Sequence, residues 1–224
     1  MKKLGVHTIG DIPIYVPIDS ADIWSEPQFF QLDENYFPKA VAGVPPDYFS
    51  EDGQLWGNPL YDWDRMRADG FGWWIRRVEG AEKLYDVIRI DHFRGFSDYW
   101  SVPYGEKTAK NGRWMKGPGM DLVGVLSNWF NGTSFIAEDL GAPTEDLRKL
   151  LSDSGWPGMK VLGFAFDSKE ESDFLPHHYS YNCVCYAGTH DNAPLAQWLE
   201  EADDSDVLFA FDYLGIADKD FNAA

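Results

Sequence analysis

The chain has 224 residues, 44% of them hydrophobic and 16% aromatic, enough to fill one good-sized core. Its 37 acidic and 19 basic side chains give a formal net charge of −18, which repels phosphate backbones and anionic lipid. Nucleic acid and membrane surfaces are thereby excluded as partners, and the lack of any apolar run long enough to span a bilayer or form a signal-peptide core points to a cytoplasmic protein.

One pattern recurs along the chain. A short apolar, β-branched run ends in a polar or acidic cluster, and a stretch with helical period often separates it from the next. The first run is VHTIGDIPIYV (6–16), which contains Asp11 and is limited in its pairing by Pro13. A helix is expected near 64–85, where Phe71, Trp74, Ile75, Val78 and Ala81 recur at three- and four-residue spacing, and it leads into DVIRIDHFRG. NGRWMKGPG (111–119) carries no evident role. TSFIAEDLG (133–141) precedes PTEDLRKLLSDSG, a short helix that Thr144 would cap and Gly155 would close.

GMKVLGFAFD (158–167) is the fourth run and NCVCYAGTHDN (182–192) the fifth, before a helix in APLAQWLEEA and an unassigned tail beyond 200. Cys183 and Cys185 share a strand face and read as packed thiols in a reducing compartment. The absence of repeats, low-complexity tracts and Gly/Ser linkers draws no internal boundary across 1–224.

Strands alternating with helices predict an α/β fold with a parallel sheet, its strands uniformly apolar and its ligands at their carboxyl ends. Asp91, Glu138 and Asp191 each stand where a strand runs out, on three different strands. A single strand-end acid is commonly a cap or turn former. Three together, flanked by His and Arg, match the way a (β/α)8 TIM-barrel enzyme assembles its catalytic groups.

A carboxylate pair on either side of a scissile bond is the machinery of glycoside chemistry, one attacking the anomeric carbon and the other protonating the leaving oxygen. Arg89 lies two residues before Asp91 on the same strand face, where its guanidinium can keep a nucleophile ionised. Glu138 follows Phe135, Ile136 and Ala137, an apolar setting expected to raise its pKa and preserve a general acid. The 10 Trp, 11 Tyr and 15 Phe offer flat platforms suited to neutral sugars.

GDIPIYV, VAGVPPDYFSEDGQLWGNPLYDW, RIDHFRGF, IAEDLG and GTHDN, in that order from about residue 5 to 200, resemble the signature segments of the 4-α-glucanotransferases, or amylomaltases, of glycoside hydrolase family 77. The resemblance implies that Asp91 is the nucleophile, Glu138 the acid/base and Asp191 the carboxylate that holds sugar hydroxyls. It implies Arg89 and His190 as supporting contacts and matches Asp11 to an acid of the first shared segment. It makes residues 41–63 an active-site lid bringing Tyr48, Gln54, Trp56 and Asn58 to the substrate; Pro45-Pro46 stiffens one end and Gly53 and Gly57 loosen the other.

The expected reaction is retaining transfer of α-1,4-glucan segments to the 4-hydroxyl of an acceptor, with donor and acceptor glucans as partners and no cofactor or metal. Retention calls for carboxyl groups roughly 5 to 5.5 Å apart. The alternatives are an α-glucan hydrolase of the same superfamily and a metal enzyme using His7, Asp11, His92 and His190, the latter disfavoured by the lack of HxH or HExxH spacing. Five strands against the eight of a closed barrel suggest strands 3 to 7 of an incomplete barrel, so the chain alone is also expected to be poorly soluble or inactive.

Overall fold

Three of the apolar runs lie side by side as parallel strands. In the computed structural model, which describes residues 2–47, 50–141 and 143–216, the chain forms two compact units, 1–156 and 157–224. The first unit begins with β1 (Ile9–Pro13), α1 (Ala21–Ser25), β2 (Ala40–Val44), β3 (Gln54–Pro59), α2 (Trp63–Ala68) and α3 (Gly72–Glu82). It continues with β4 (Val87–Asp91), α4 (Arg94–Ser97), β5 (Asp98–Pro103), β6 (Arg113–Lys116), α5 (Met120–Trp129), β7 (Ser134–Ala137) and α6 (Glu145–Ser154).

β1, β4 and β7 form a parallel sheet in the order β1-β4-β7. The register sets Asp11 opposite Arg89 and Ile90 opposite Ala137. These strands are not apolar on both faces. Ile88 and Ile90 are fully buried, while Val87, Arg89 and Asp91 on the alternate face are only half-buried. One face therefore packs into the core and the other carries charge, the alternation of a strand with two different environments.

The buried face meets Trp74 and Val78 of α3, Leu122, Val123 and Leu126 of α5, and Leu147 and Leu150 of α6 in one continuous hydrophobic cluster. Trp156 stacks on Phe135 of β7 with ring centroids 4.3 Å apart. Arg77 of α3 donates to the Pro13 carbonyl at the end of β1, tying helix to strand.

The helix expected over 64–85 is two helices. Gly70 and Phe71 both adopt left-handed φ, +67° and +59°, and α2 closes there before α3 begins. The helix over 144–155 forms as read: the Thr144 hydroxyl accepts from the Leu147 N–H, and Gly155 closes the end at φ +68°. A second sheet, antiparallel and ordered β3-β2-β5-β6, was not foreseen. The stretch read as a lid contains β3 and most of β2, which pair antiparallel.

The second unit holds β8 (Gly158–Val161) and β9 (Cys183–Tyr186), parallel and paired from Gly158↔Cys183 to Val161↔Tyr186, followed by α7 (Leu195–Glu201) and α8 (Asp204–Leu214). Ala165, Phe166, Leu175 and Ala210 form its small core. The two cysteines are free thiols. Among the described residues no helix is long and apolar enough to cross a membrane.

Because Ile88 is fully buried between the sheet and its helices, Ile88→Ala should lower the unfolding free energy by about 2–5 kcal/mol. A denaturant titration followed by tryptophan fluorescence checks this. A loss well below that range would mean the sheet face is less tightly packed than described.

Candidate active site

At the carboxyl ends of β1 and β4, one guanidinium bridges two acids. The Arg89 Nη1 donates to Asp11 Oδ1 at 2.6 Å and to Asp91 Oδ1 at 2.8 Å. The parallel register makes this possible, because it places Asp11 directly beside Arg89, and Asp91 two residues on returns to the same face. Burial works against the Arg89 charge, but the hydrogen bonds and charges of Asp11 and Asp91 outweigh it, and the pKa is raised. Asp11 and Asp91 each keep 41% of their side-chain surface exposed, so both paired acids stay reachable from outside.

Glu138 follows β7 directly. Its N–H donates to the Ile90 carbonyl at 3.0 Å, and its own carbonyl accepts from the Phe93 N–H at 2.9 Å, stitching the two strand ends together. Its side chain is 8% exposed. Oε2 accepts from the His92 N–H at 2.7 Å and Oε1 from the Leu140 N–H at 2.6 Å. Burial pushes its pKa up to about 7; the Leu140 and His92 amides pull it down, the Asp91 charge adds to the rise, and Arg89 opposes it. The expectation of a carboxyl that can hold a proton near neutrality is met, with burial as the main cause.

The chain turns at His92. His92 takes φ +51°, which aims its N–H at Glu138, whereas Gly95 sits in α4 where a Cβ would stand 2.5 Å from Ile14 Cδ1. Burial, and then Arg94, lower the His92 pKa to about 4, leaving the ring neutral at physiological pH. Arg94 is committed elsewhere, with Nε donating to Asp98 Oδ1 at 3.0 Å and its guanidinium over the Trp114 ring.

The hairpin reaches this corner through Trp56. Its ring meets His92 edge-on with centroids 4.8 Å apart, and its Nε1 donates to Gln54 Oε1 at 3.1 Å. Asn58 is half-buried on the same strand, and Tyr48 lies outside the described residues. Sequence reasoning passed over Tyr15, which lies within the quoted GDIPIYV. Its buried ring contacts Trp56 and Tyr61, and its hydroxyl has no hydrogen-bond partner among the described residues.

Asp191 and His190 belong to the second unit, on the turn after β9. Asn192 Oδ1 accepts from the Thr189 N–H and hydroxyl at 2.8 and 2.9 Å, and the Asp191 N–H donates to Thr189 Oγ1. This fixes the turn while leaving His190 and Asp191 exposed and 3.5 Å from each other. The alternative metal set gains no support: His7 faces Asp86 at 3.8 Å, and Asp11 is held by Arg89.

With a native pKa near 7 against an unperturbed value of 4.5, folded Glu138 retains a proton that the unfolded chain has released. Its contribution to stability is fully present below pH 4.5 and is lost as pH rises through about 7. Denaturation between those limits should show stability falling more steeply with pH in the native protein than in Glu138→Gln. Parallel slopes would contradict the shift.

The 4-alpha-glucanotransferase family, glycoside hydrolase family 77, matches residues 1–223. The chain is 51% identical over 200 residues to a 4-alpha-glucanotransferase of Clostridium butyricum, covering 89% of this chain and 41% of that protein. It is 49% identical over 215 residues to one from Thermus thermophilus (95% and 43%) and 47% over 219 to a chloroplastic/amyloplastic one of Arabidopsis thaliana (98% and 38%). Among solved structures, an amylomaltase from Streptococcus agalactiae in complex with acarbose superposes with a TM-score of 0.91 at 43% identity, over 96% of this chain and 43% of that one. The chain thus spans about two-fifths of the length of these relatives. On a match over nearly its whole length, it belongs to the 4-alpha-glucanotransferase family, glycoside hydrolase family 77.

Proposed function

We propose that this chain carries the reacting groups of a retaining 4-α-glucanotransferase built on a (β/α)8 barrel, to whose eight parallel strands β1, β4, β7, β8 and β9 would contribute five. One observation carries the reading: two carboxyl groups at adjacent strand ends lie in opposed electrostatic settings. Asp91 is ion-paired with Arg89 at 2.8 Å, and Glu138 is buried with its pKa near 7. The acarbose bound to the Streptococcus agalactiae amylomaltase supports maltooligosaccharides as the substrate class.

In this mechanism Glu138 donates its proton to the glycosidic oxygen while Asp91 attacks the anomeric carbon. The bond to the leaving glucan breaks and a covalent glycosyl-Asp91 ester forms. Glu138, now a carboxylate, takes the proton of an acceptor 4-hydroxyl, whose oxygen attacks the anomeric carbon and releases Asp91. A pKa near 7 suits both halves, since the same group must give and then take a proton. Asp191 is assigned to the sugar hydroxyls and His190 to a supporting contact, from their places in GTHDN. Asp11 helps position Arg89, Gln54, Trp56 and Asn58 are assigned to the glucan on the hairpin side, and Tyr48 is assigned to the glucan from its place in VAGVPPDYF alone. An apolar edge such as Trp56 over His92 disfavours water relative to a sugar, which favours transfer over hydrolysis.

Incubation with maltotriose should yield glucose plus longer oligosaccharides; maltose and glucose alone would instead mean hydrolysis. Should the isolated chain give no products, exchanging it for the matched segment of the Clostridium butyricum relative supplies the remaining length for the same assay. A fluorinated glucosyl donor should label the peptide bearing Asp91, and a label elsewhere would overturn the nucleophile assignment.

Glu138→Gln should lower transfer from maltooligosaccharides by about 10²–10⁴-fold. The first step should largely recover with α-glucosyl fluoride, whose leaving group needs no proton. Equal loss with both donors would show that Glu138 is not the acid.

A further inference from the structure

We propose that Glu171, His177 and His178, in the second unit, bind one divalent transition-metal ion of the zinc class. The inference stands apart from the glucan reading, because none of the three residues takes part in it. Donor atoms from the three side chains lie within 4.8 Å of one another. The 3-10 turn Pro176–His178 sets the two rings with centroids 4.0 Å apart.

The hydrogen bonds decide which nitrogens are available. The Nδ1 of His178 lies 3.1 Å from the Ser172 carbonyl oxygen, which can only accept, so Nδ1 carries the proton. In the neutral ring Nε2 then holds a lone pair, and it lies 3.3 Å from Glu171 Oε1. Two lone-pair atoms face each other, a repulsive arrangement unless a proton or a metal ion lies between them. Two donors on a tetrahedral zinc ion, each about 2.1 Å away, stand roughly 3.4 Å apart, so the observed spacing already fits a shared ion.

His177 is anchored through the same ring nitrogen. Its Nδ1 lies 2.8 Å from the Tyr213 hydroxyl, whose oxygen also accepts from the His177 N–H at 3.3 Å. Both imidazoles are thus held on the Nδ1 side, and with the Tyr213 hydroxyl accepting from the Nδ1–H of His177 its Nε2 is available to ligate, the way metal-binding histidines are commonly positioned. Two imidazole nitrogens and one carboxylate oxygen select zinc, nickel or copper over calcium and magnesium, which take oxygen ligands. An imidazolium–carboxylate pair would account for His178 and Glu171 but would gain nothing from a second imidazole, which adds no negative charge. The nearby thiols are otherwise engaged, Cys183 with the Ser180 carbonyl and Cys185 with the Tyr179 hydroxyl.

The test uses the untagged, chelator-stripped chain in excess Mg²⁺, titrated with Zn²⁺ by calorimetry and read in parallel with Co²⁺ by absorption. One saturable ion is expected, with a Co²⁺ spectrum lacking thiolate charge transfer. Glu171→Gln and His178→Asn should abolish saturable binding, and a Cys183→Ser/Cys185→Ser double variant should retain it. Tyr213→Phe, which loses only the support of His177, should weaken binding by about tenfold or more. Since Glu171, His177 and His178 are exposed, circular dichroism is expected to show all variants folded. Absence of saturable binding, undiminished binding in His178→Asn, or a thiolate-to-cobalt band would each overturn the proposal.

Discussion

The hydrogen bond from the His92 N–H to Glu138 Oε2, at 2.7 Å, is where the site and the fold depend on each other. It forms only because His92 leaves β4 with φ +51°, a conformation that a non-glycine residue holds when its surroundings enforce it. The enforcing contacts are the neighbouring ones: Glu138 N–H to the Ile90 carbonyl, Phe93 N–H to the Glu138 carbonyl, and the edge of Trp56 against the His92 ring. Together these fix the end of β4 against the end of β7. A catalytic pair drawn from two strands needs that rigidity, because its reach is set by backbone positions rather than by long side chains.

The same geometry separates the behaviour of the two acids. Asp91 points to the charged face of the sheet, where Arg89 is shared with Asp11; Glu138 points into a buried corner and receives the backbone amides of His92 and Leu140. Two amide hydrogen bonds would ordinarily favour the carboxylate, yet burial and the Asp91 charge prevail and raise the pKa to about 7. The amides therefore do not keep Glu138 ionised. They orient it, and they hold its pKa low enough for the proton to be given up.

How much of this was legible in the sequence follows from what each feature depends on. The strands of the two parallel sheets, β1-β4-β7 and β8-β9, were readable because each lies in a short apolar run with an abrupt polar end, and the 145–154 helix because Thr144 and Gly155 mark its limits. The break within 64–85 was hidden by an apolar spacing that continues through Gly70 and Phe71 although the backbone reverses there. The antiparallel sheet was missed because Ala40 pairs with Pro103 and Asp98 with Lys116 across intervals that no local pattern announces, in strands interrupted by Gly43 and Gly57. In the site, the raised pKa of Glu138 could be read from Phe135, Ile136 and Ala137. The sharing of Arg89 with Asp11 could not, since it exists only through the β1–β4 register. The convergence of Glu171 on His177 and His178 is likewise a property of the folded loop, with no spacing motif to signal it.

The division of labour also shows which parts of the chemistry depend on which elements. In the proposed mechanism, bond formation to the anomeric carbon and both proton transfers fall to Asp91 and Glu138, which lie in one unit and are locked together by the β4–β7 register. Asp191 and His190 are carried by a turn whose shape is set locally by Thr189 and Asn192 and leaves both side chains exposed. A turn of that kind suits groups that recognise sugar hydroxyls, where small adjustments are tolerated. A nucleophile and its proton donor demand fixed geometry, and the two residues proposed for those roles are held by the parallel sheet, with backbone amides on both oxygens of Glu138 and a guanidinium on Asp91.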